Sequence, residues 1–295
     1  MQWSRPERFC GQIVSREQLS EISEITETFS KLSRTELAST ICEVFSWKRP
    51  TGKLKSVECR QFLEALAAKG VIALPESRKQ YARGAGKVQR TAKAEIQSSI
   101  SVELKELLPL SLSRVESQTQ RALWYEYVER YHYLGYQLPF GAQLRYFMRS
   151  DATDDILGCL QFSSPAWRMA RRDRWIGWSD EQRKVNLQKI VNNSRFLIFP
   201  WVKVKNLASS VLGLAIKKVP DDWHCCYGYR PVLMETLVDR KRFNGTCYRA
   251  ANWIPIGETT GRGRMDRANK QQGAAVKEIL VYPLSPRFRQ ELAGM

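Results

Sequence analysis

Asn206-Leu207-Ala208-Ser209, followed downstream by Gly245-Thr246-Cys247-Tyr248-Arg249-Ala250-Ala251-Asn252-Trp253, decides how this chain is read. Both stretches lie within residues 192–266. Just before the first, Arg195-Phe196-Leu197-Ile198-Phe199 is a short apolar run of the kind that forms a buried strand, and Pro200 interrupts it with a bend or bulge. Val202-Lys203-Val204-Lys205 leads to Asn206, a good helix N-cap residue. Leu207, Val211, Leu214, Ala215 and Val219 recur at helical spacing, predicting a helix that ends before Pro220. A second strand reads from Pro231 to Asp239. Asn244-Gly245 opens a second helix that runs through Cys247 to Trp253. Ile254-Pro255-Ile256-Gly257 begins a last strand, and Gly261-Arg262-Gly263-Arg264 turns out of it. Strand, helix, strand, helix, strand is an α/β core.

The chain of 295 residues has room for one large or two modest domains. Its 47 basic against 30 acidic residues leave a net charge of +17. Such an excess speaks to partners rather than to fold, and DNA leads because neutralising phosphates takes many Lys and Arg side chains. No apolar run approaches the roughly 18 residues of a membrane-spanning helix, and Met1-Gln2-Trp3-Ser4-Arg5-Pro6 is too polar for a secretory leader. The expectation is a cytoplasmic protein with no membrane partner. Seven scattered cysteines without a CxxC pair suit a reducing compartment and give no zinc site. No metal-binding set is expected.

Working outward to the amino terminus, residues 16–45 read as two helices, with Leu19, Ile22, Ile25, Phe29 and Leu32 on one face. A third helix starts at a Ser56 cap and ends at Gly70, and residues 71–75 read as a short strand. Helix, basic turn, helix, strand is the plan of a winged helix, in which Lys53, Lys55 and Arg60 would meet DNA; a small helical docking bundle is the alternative. The expected organisation is a helical, winged-helix-like DNA-binding domain over 1–77, a basic arm over 78–95 that includes Arg83, and an α/β domain over 96–295.

Inside the last segment, residues 118–131 read as a helix. An aromatic loop follows from Tyr131 to Gly141. Residues 143–149 alternate like a strand, 151–155 read as a turn, and 156–162 read as the return strand of a hairpin. Trp167, Trp175 and Trp178 then alternate with Arg168, Arg171, Arg172 and Arg174. That mixture suits base stacking and phosphate contact, and equally a tryptophan-rich core edge with solvated arginines.

His132-Tyr-Leu-Gly, Asn193-Ser-Arg-Phe-Leu-Ile, Asn206-Leu-Ala-Ser, Glu235 to Asp239, Gly245-Thr-Cys-Tyr-Arg-Ala-Ala-Asn-Trp and Gly261-Arg-Gly-Arg together resemble the DruA family, named for the Druantia anti-phage system and with related domains in prokaryotic mobile elements. The resemblance covers nearly the whole chain. It implies action on DNA in phage defence or in mobile-element processing such as transposition, with other defence-system or transposon proteins as partners. The order of elements is also similar to the GNAT acyltransferase plan, a mixed sheet with helices. There the loop before a helix cradles the pyrophosphate of acyl-CoA at a helix amino terminus. Lys203, Lys205, Asn206 and Ser209 stand at that place, as a candidate anion site. The Arg/Gln-x-x-Gly-x-Gly/Ala pattern of that loop is absent. The cofactor stays open between acyl-CoA, a divalent metal and none.

Five residues are candidates for chemistry. Cys247, in the first turn of its helix beside Arg249, would have a lowered thiol pKa and act as nucleophile, or would pack as a small apolar residue. Tyr248 is a second nucleophile or general acid. Glu235 and Asp239 share one face of a strand by parity, roughly 13 Å apart at strand rise, too far to share a metal without a third acid such as Asp173. Glu235 alternatively pairs an arginine, and Asp239 caps a strand end. His132 is a general base or a structural imidazole. Candidate contacts to nucleic acid are Lys53, Lys55, Arg60, Arg83, Arg171, Arg195, Arg262 and Arg264. Three functions follow: a DNA-processing protein that cleaves or transfers strands, a GNAT-like acyltransferase acting on nucleic acid or protein, and a non-catalytic DNA-recognition adaptor.

Overall fold

In the computed structural model, residues 7–29, 32–50, 54–75, 88, 90–136, 141–260 and 276–294 are described. The chain divides into two compact units: residues 1–83 with 140–142 and 225–228, and residues 84–139, 143–224 and 229–295.

The first unit begins with a two-stranded antiparallel hairpin, β1 (Arg8–Phe9) and β2 (Gln12–Ile13). Three helices follow: α1 (Arg16–Thr28), α2 (Arg34–Val44) and α3 (Ser56–Ala68). Ser15 with Gln18 and Ser33 with Glu36 form reciprocal capping boxes that fix the starts of α1 and α2. The third start departs from expectation. Lys55 is the N-cap, and Ser56 is the first helical residue, its hydroxyl accepting from that of Ser39 at 3.1 Å. Gly70, at φ +69°, follows the helix end. Phe9 stacks on Trp47 at 4.0 Å, and Phe62 closes against both, over a core that includes Ile22, Leu37, Ile41, Leu63 and Leu66. One feature differs from the winged-helix plan: residues 71–75 form no strand. Between α2 and α3, within the basic turn, Lys48 and Leu54 form an isolated antiparallel bridge.

The second unit is a seven-stranded mixed sheet of order β3-β4-β5-β6-β7-β9-β8. Its strands are β3 (Leu110–Arg114), β4 (Gln143–Ser150), β5 (Ile156–Ser163), β6 (Ile190–Ile198), β7 (Leu233–Asp239), β8 (Ile254–Glu258) and β9 (Lys277–Pro283). Its helices are α4 (Gln118–Tyr131), α5 (Ala170–Ile176), α6 (Asp180–Asn186), α7 (Leu207–Tyr227), α8 (Thr246–Ala250) and α9 (Phe288–Ala293). Ser117 with Gln120 and Ser179 with Gln182 cap α4 and α6 in the same reciprocal way. The hairpin β4–β5 and the strands β6, β7 and β8 stand where the sequence patterns put them. β9 inserts between β7 and β8 and makes that end of the sheet antiparallel. Helix α7 does not end before Pro220 but carries it inside. An interior proline costs about 3 kcal/mol or more. Val219, Pro220 and Trp223 are all buried there, so apolar burial beyond the proline offsets the lost hydrogen bond.

Successive strand residues point to opposite faces, and this sorts the helices. Phe147 of β4 meets Tyr127 of α4, while Tyr146 beside it bonds Asp222 of α7 at 3.0 Å. Glu235 of β7 meets Arg172 of α5 at 3.2 Å, while Thr236 beside it meets Tyr248 of α8 at 3.4 Å. The core on the α5 side holds Met169, Ile176, Trp178, Ile190, Leu233 and Ile279.

Arg172 and Glu235 are fully buried, and Arg172 also bonds Asp173 through two nitrogens at 2.9 and 3.0 Å. Removing one member of such a pair leaves an uncompensated charge in the core. Arg172→Met is expected to lower stability by about 3–5 kcal/mol in chemical denaturation. The double change Arg172→Met with Glu235→Leu should recover most of that loss; a double variant as unstable as the single one would show that the ion pair is not the cause.

Candidate functional site

The site grows from one register feature. β6 and β7 are the parallel pair of the sheet, and they pair only from Ile190↔Leu233 to Asn193↔Thr236, although β6 continues to Ile198 and β7 to Asp239. Beyond Asn193 the strands part. On the other edge of β6 a bulge lets Asn193 face Phe162 and Arg195 face Gln161, leaving Ser194 as the extra residue. The buried Asn193 amide pins this geometry. Its Nδ2 donates to the Gln161 and Arg195 carbonyls at 3.0 and 3.1 Å, and its Oδ1 accepts the Tyr248 hydroxyl at 2.6 Å. Thr236 donates to the Asn193 carbonyl at 3.1 Å.

Tyr248 is therefore a buried hydrogen-bonding group, packed edge-on against Phe196 and Trp253. Burial pushes its phenol well above the ordinary range, which opposes use as a nucleophile near neutral pH. Cys247 is half-buried, and desolvation raises its thiol rather than lowering it. The activation expected at the start of the five-residue α8 is outweighed, because desolvation exceeds the effect of the backbone hydrogen bonds that lower the thiol. Glu235 takes the structural alternative in its pair with Arg172; burial pushes its carboxyl up and the guanidinium draws it back. Asp173, the candidate third acid, is committed to Arg172, Trp178 and the Met169 amide.

On the α4 side of the parted strands, three other residues come together. His132 caps the carboxyl end of α4, Arg195 stands in β6, and Lys277 opens β9 opposite Asp239. Burial and the two cations hold the imidazole down to about 4, so it is neutral at pH 7. Its Nδ1 accepts the Leu134 amide at 3.2 Å, which leaves the proton on Nε2. His132 thus presents a donor and is poorly suited to be a general base. Burial also lowers the pKa of Arg195 and of Lys277. Arg195 donates Nε to the Gly135 carbonyl at 3.2 Å and Nη1 to the Ser194 carbonyl at 2.7 Å. Asp239 accepts the Lys241 amide at 3.1 Å and lies 3.7 Å from Arg242.

The remaining candidates lie apart from this cluster. Lys203, Lys205 and Asn206 are exposed before α7. Asn206 adopts φ +65° instead of the extended conformation of an N-cap, and Ser209 donates its hydroxyl to the Asn206 carbonyl at 3.0 Å. Arg171 is exposed and its side chain runs along Gly257 of β8. In the first unit, Lys55 lies over the Phe9 ring at 5.7 Å, and the buried Nε of Arg60 has no hydrogen-bond partner among the described residues. Lys53, Arg83, Arg262 and Arg264 lie outside the described residues. The tryptophan–arginine stretch resolves toward the structural alternative: Arg172 covers Trp178, Arg183 covers Trp167 and Arg289 covers Trp175, at 5.8, 5.5 and 4.7 Å. Among the described residues, no three His, Cys, Asp or Glu side chains are grouped to hold a metal ion, and no helix is long and apolar enough to cross a membrane.

A mixed seven-stranded sheet with helices on both faces makes this a mixed α/β protein. The family model described as "Druantia protein DruA" matches residues 65–277, and the chain belongs to the DruA family. Among solved structures it is similar to an aminoglycoside acetyltransferase in complex with coenzyme A, at 12% identity and a TM-score of 0.40, covering 62% of this chain and 97% of that one. It is also similar to spermidine N-acetyltransferase from Vibrio cholerae, at 10% identity and TM-score 0.36 over 61% and 95% of the two chains. A third is an N-acyl amino acid synthase from uncultured soil microbes, at 8% identity and TM-score 0.35 over 62% and 95%. Likenesses this low carry no argument about substrate or cofactor. No curated protein matches the chain.

Lys277, Phe243 and the role of Asn193 are not evident from the sequence. A polar Asn192-Asn193-Ser194 interrupting an apolar strand is the available sign of a bulge.

Two measurements check this account. Unfolded His132 takes up a proton below its ordinary 6.5, whereas the folded imidazole resists until about 4. The stability it supplies is present above 6.5 and lost as pH falls through that window. His132→Gln should therefore flatten the stability–pH profile between 6.5 and 4. Cys247 should alkylate more slowly at pH 7 than an exposed model thiol, and Cys247→Ala should keep its function per folded molecule.

Proposed function

We infer that this DruA-family chain takes part in phage defence by binding and acting on DNA, with other proteins of the same defence system as partners. The observation that carries this reading is how the charge is distributed. The buried or nearly buried acids Glu126, Glu235, Asp239 and Glu278 are each already within ion-pair distance of an arginine. These acids are thus paired locally, and over the whole chain 47 basic residues outnumber 30 acidic ones for a net charge of +17. Among the described residues, Arg195 and Lys277 have no carboxylate within ion-pair distance, although both are half-buried. Desolvating a cation without a counter-charge is costly, and a polyanion supplies the missing charge.

Such binding works by counterion release, so affinity falls steeply with salt. For six or more phosphate contacts the loss is about 10³-fold or greater between about 50 and 200 mM salt. A fluorescence-anisotropy titration of labelled DNA over that range is expected to show it. A flat response, or no binding at low salt, would overturn the reading.

A further inference from the structure

The loop between β7 and α8 carries Arg240-Lys241-Arg242-Phe243-Asn244 past the cationic cluster. It is held firmly. The amides of Arg242 and Phe243 donate to the Asp239 carbonyl at 3.0 and 2.9 Å. The Asn244 carbonyl accepts Arg249 at 2.6 Å, and Arg249 and Arg240 both pair with Glu278. On this fixed loop Phe243 is 50% exposed. One side of it touches Tyr133, with ring centroids 5.4 Å apart, and the rest meets solvent. Tyr133 in turn lies 4.9 Å from the His132 ring and under the Arg242 guanidinium at 5.2 Å. A single tyrosine thus separates an exposed aromatic face from the cluster of His132, Arg195 and Lys277.

The cluster offers directed donors. Arg195 uses Nε and Nη1 on backbone carbonyls, and its Nη2 has no protein partner among the described residues. Lys277 Nζ likewise has none. Asp239 offsets one of the positive charges from Lys277, Arg195 and Arg242, which leaves an excess of two. His132 adds a neutral N–H whose direction is set by the Leu134 amide on its other nitrogen. Two cations and a neutral donor suit one phosphate diester. An aromatic face beside them suits a base.

We propose that this surface seats one unpaired nucleotide of single-stranded DNA, with its phosphate held by Arg195, Lys277 and the Nε2–H of His132 and its base stacked on Phe243. The inference rests on the DNA-binding reading and narrows it. A base within a duplex is stacked on both faces and has none to offer Phe243, whereas an unpaired base does. The cations are half-buried, so a flexible single strand reaches them more readily than the convex surface of a duplex. The loop's fixed conformation keeps the ordering cost low on binding.

The test uses the full chain, labelled oligothymidylate, and a duplex of the same length, with folding of each variant checked by circular dichroism. The wild type is expected to bind the single strand more tightly than the duplex. Phe243→Ala should weaken single-strand binding about tenfold, as removal of one stacked base does, while changing duplex binding less than about twofold; Phe243→Trp should restore it. Arg195→Gln with Lys277→Gln should also cost about tenfold or more and make the dependence of log affinity on log salt shallower by about 0.7 for each phosphate no longer neutralised. If folded Phe243→Ala and Arg195→Gln/Lys277→Gln bind the single strand as the wild type does, the nucleotide seat is wrong and DNA binding stands. Equal weakening on single strand and duplex would overturn the choice of an unpaired base. Absence of wild-type binding to either DNA would remove the underlying reading itself.

Discussion

Asn193 fixes the place where β6 and β7 separate, and the geometry of the candidate site depends on it. A buried side-chain amide is tolerated only where its hydrogen bonds are made. Here Nδ2 bridges two carbonyls of a bulge, and Oδ1 takes a hydroxyl from the opposite face of the sheet. The bulge turns Arg195 toward the α4 side. The Tyr248 hydroxyl supports the parted strands from the α8 side. A smaller side chain at 193 would free two carbonyls and a phenol at once, inside a region where each unmade bond costs about 1–3 kcal/mol.

Arg172 and Arg195 show how one residue type divides between architecture and binding. Arg172 is enclosed by Glu235, Asp173 and the Trp178 ring. Its charge is answered within the fold. Arg195 is half-buried, answered by two backbone carbonyls and no acid among the described residues. The difference is only half visible from the neighbouring sequence, because one carboxylate that answers Arg172 is the adjacent Asp173 and the other, Glu235, lies 63 positions away.

Much of the sheet is legible in the sequence because alternation and apolar runs report burial directly. β4 alternates in part, β5 is an almost wholly buried run, and Leu233–Asp239 is bounded by turn residues. The strand β9 is readable in principle from Ile279-Leu280-Val281-Tyr282, but nothing in the run says that it inserts between β7 and β8. Pro220 misleads because a local rule about helix ends is overridden by tertiary burial of Trp223. The short strand expected over 71–75 does not form: these residues pair with no strand among the described residues. For the candidate site, His132, Arg195 and Asp239 are singled out by the sequence, and the structure brings them together. Their roles are not legible: the tautomer of His132 is set by an amide two residues on, and the Trp–Arg stretch, which reads equally as a stacking surface, is closed off by Arg183 from the next helix, α6, and by Arg289 from the distant α9.

Four helices open on a serine whose hydroxyl and backbone are matched by a Gln or Glu three residues on: Ser15, Ser33, Ser117 and Ser179. Each start signal is complete within four consecutive residues and needs no other part of the fold. The ladder that joins the two parts of the sheet is the opposite case, since it closes a span from Asn193 to Thr236 around the whole of α7. Local contacts form early and distant ones carry the loop-closure entropy. The capped helix starts therefore need no contact with the sheet, whereas the β6–β7 junction that frames the candidate site carries the loop-closure entropy of the whole α7 crossover.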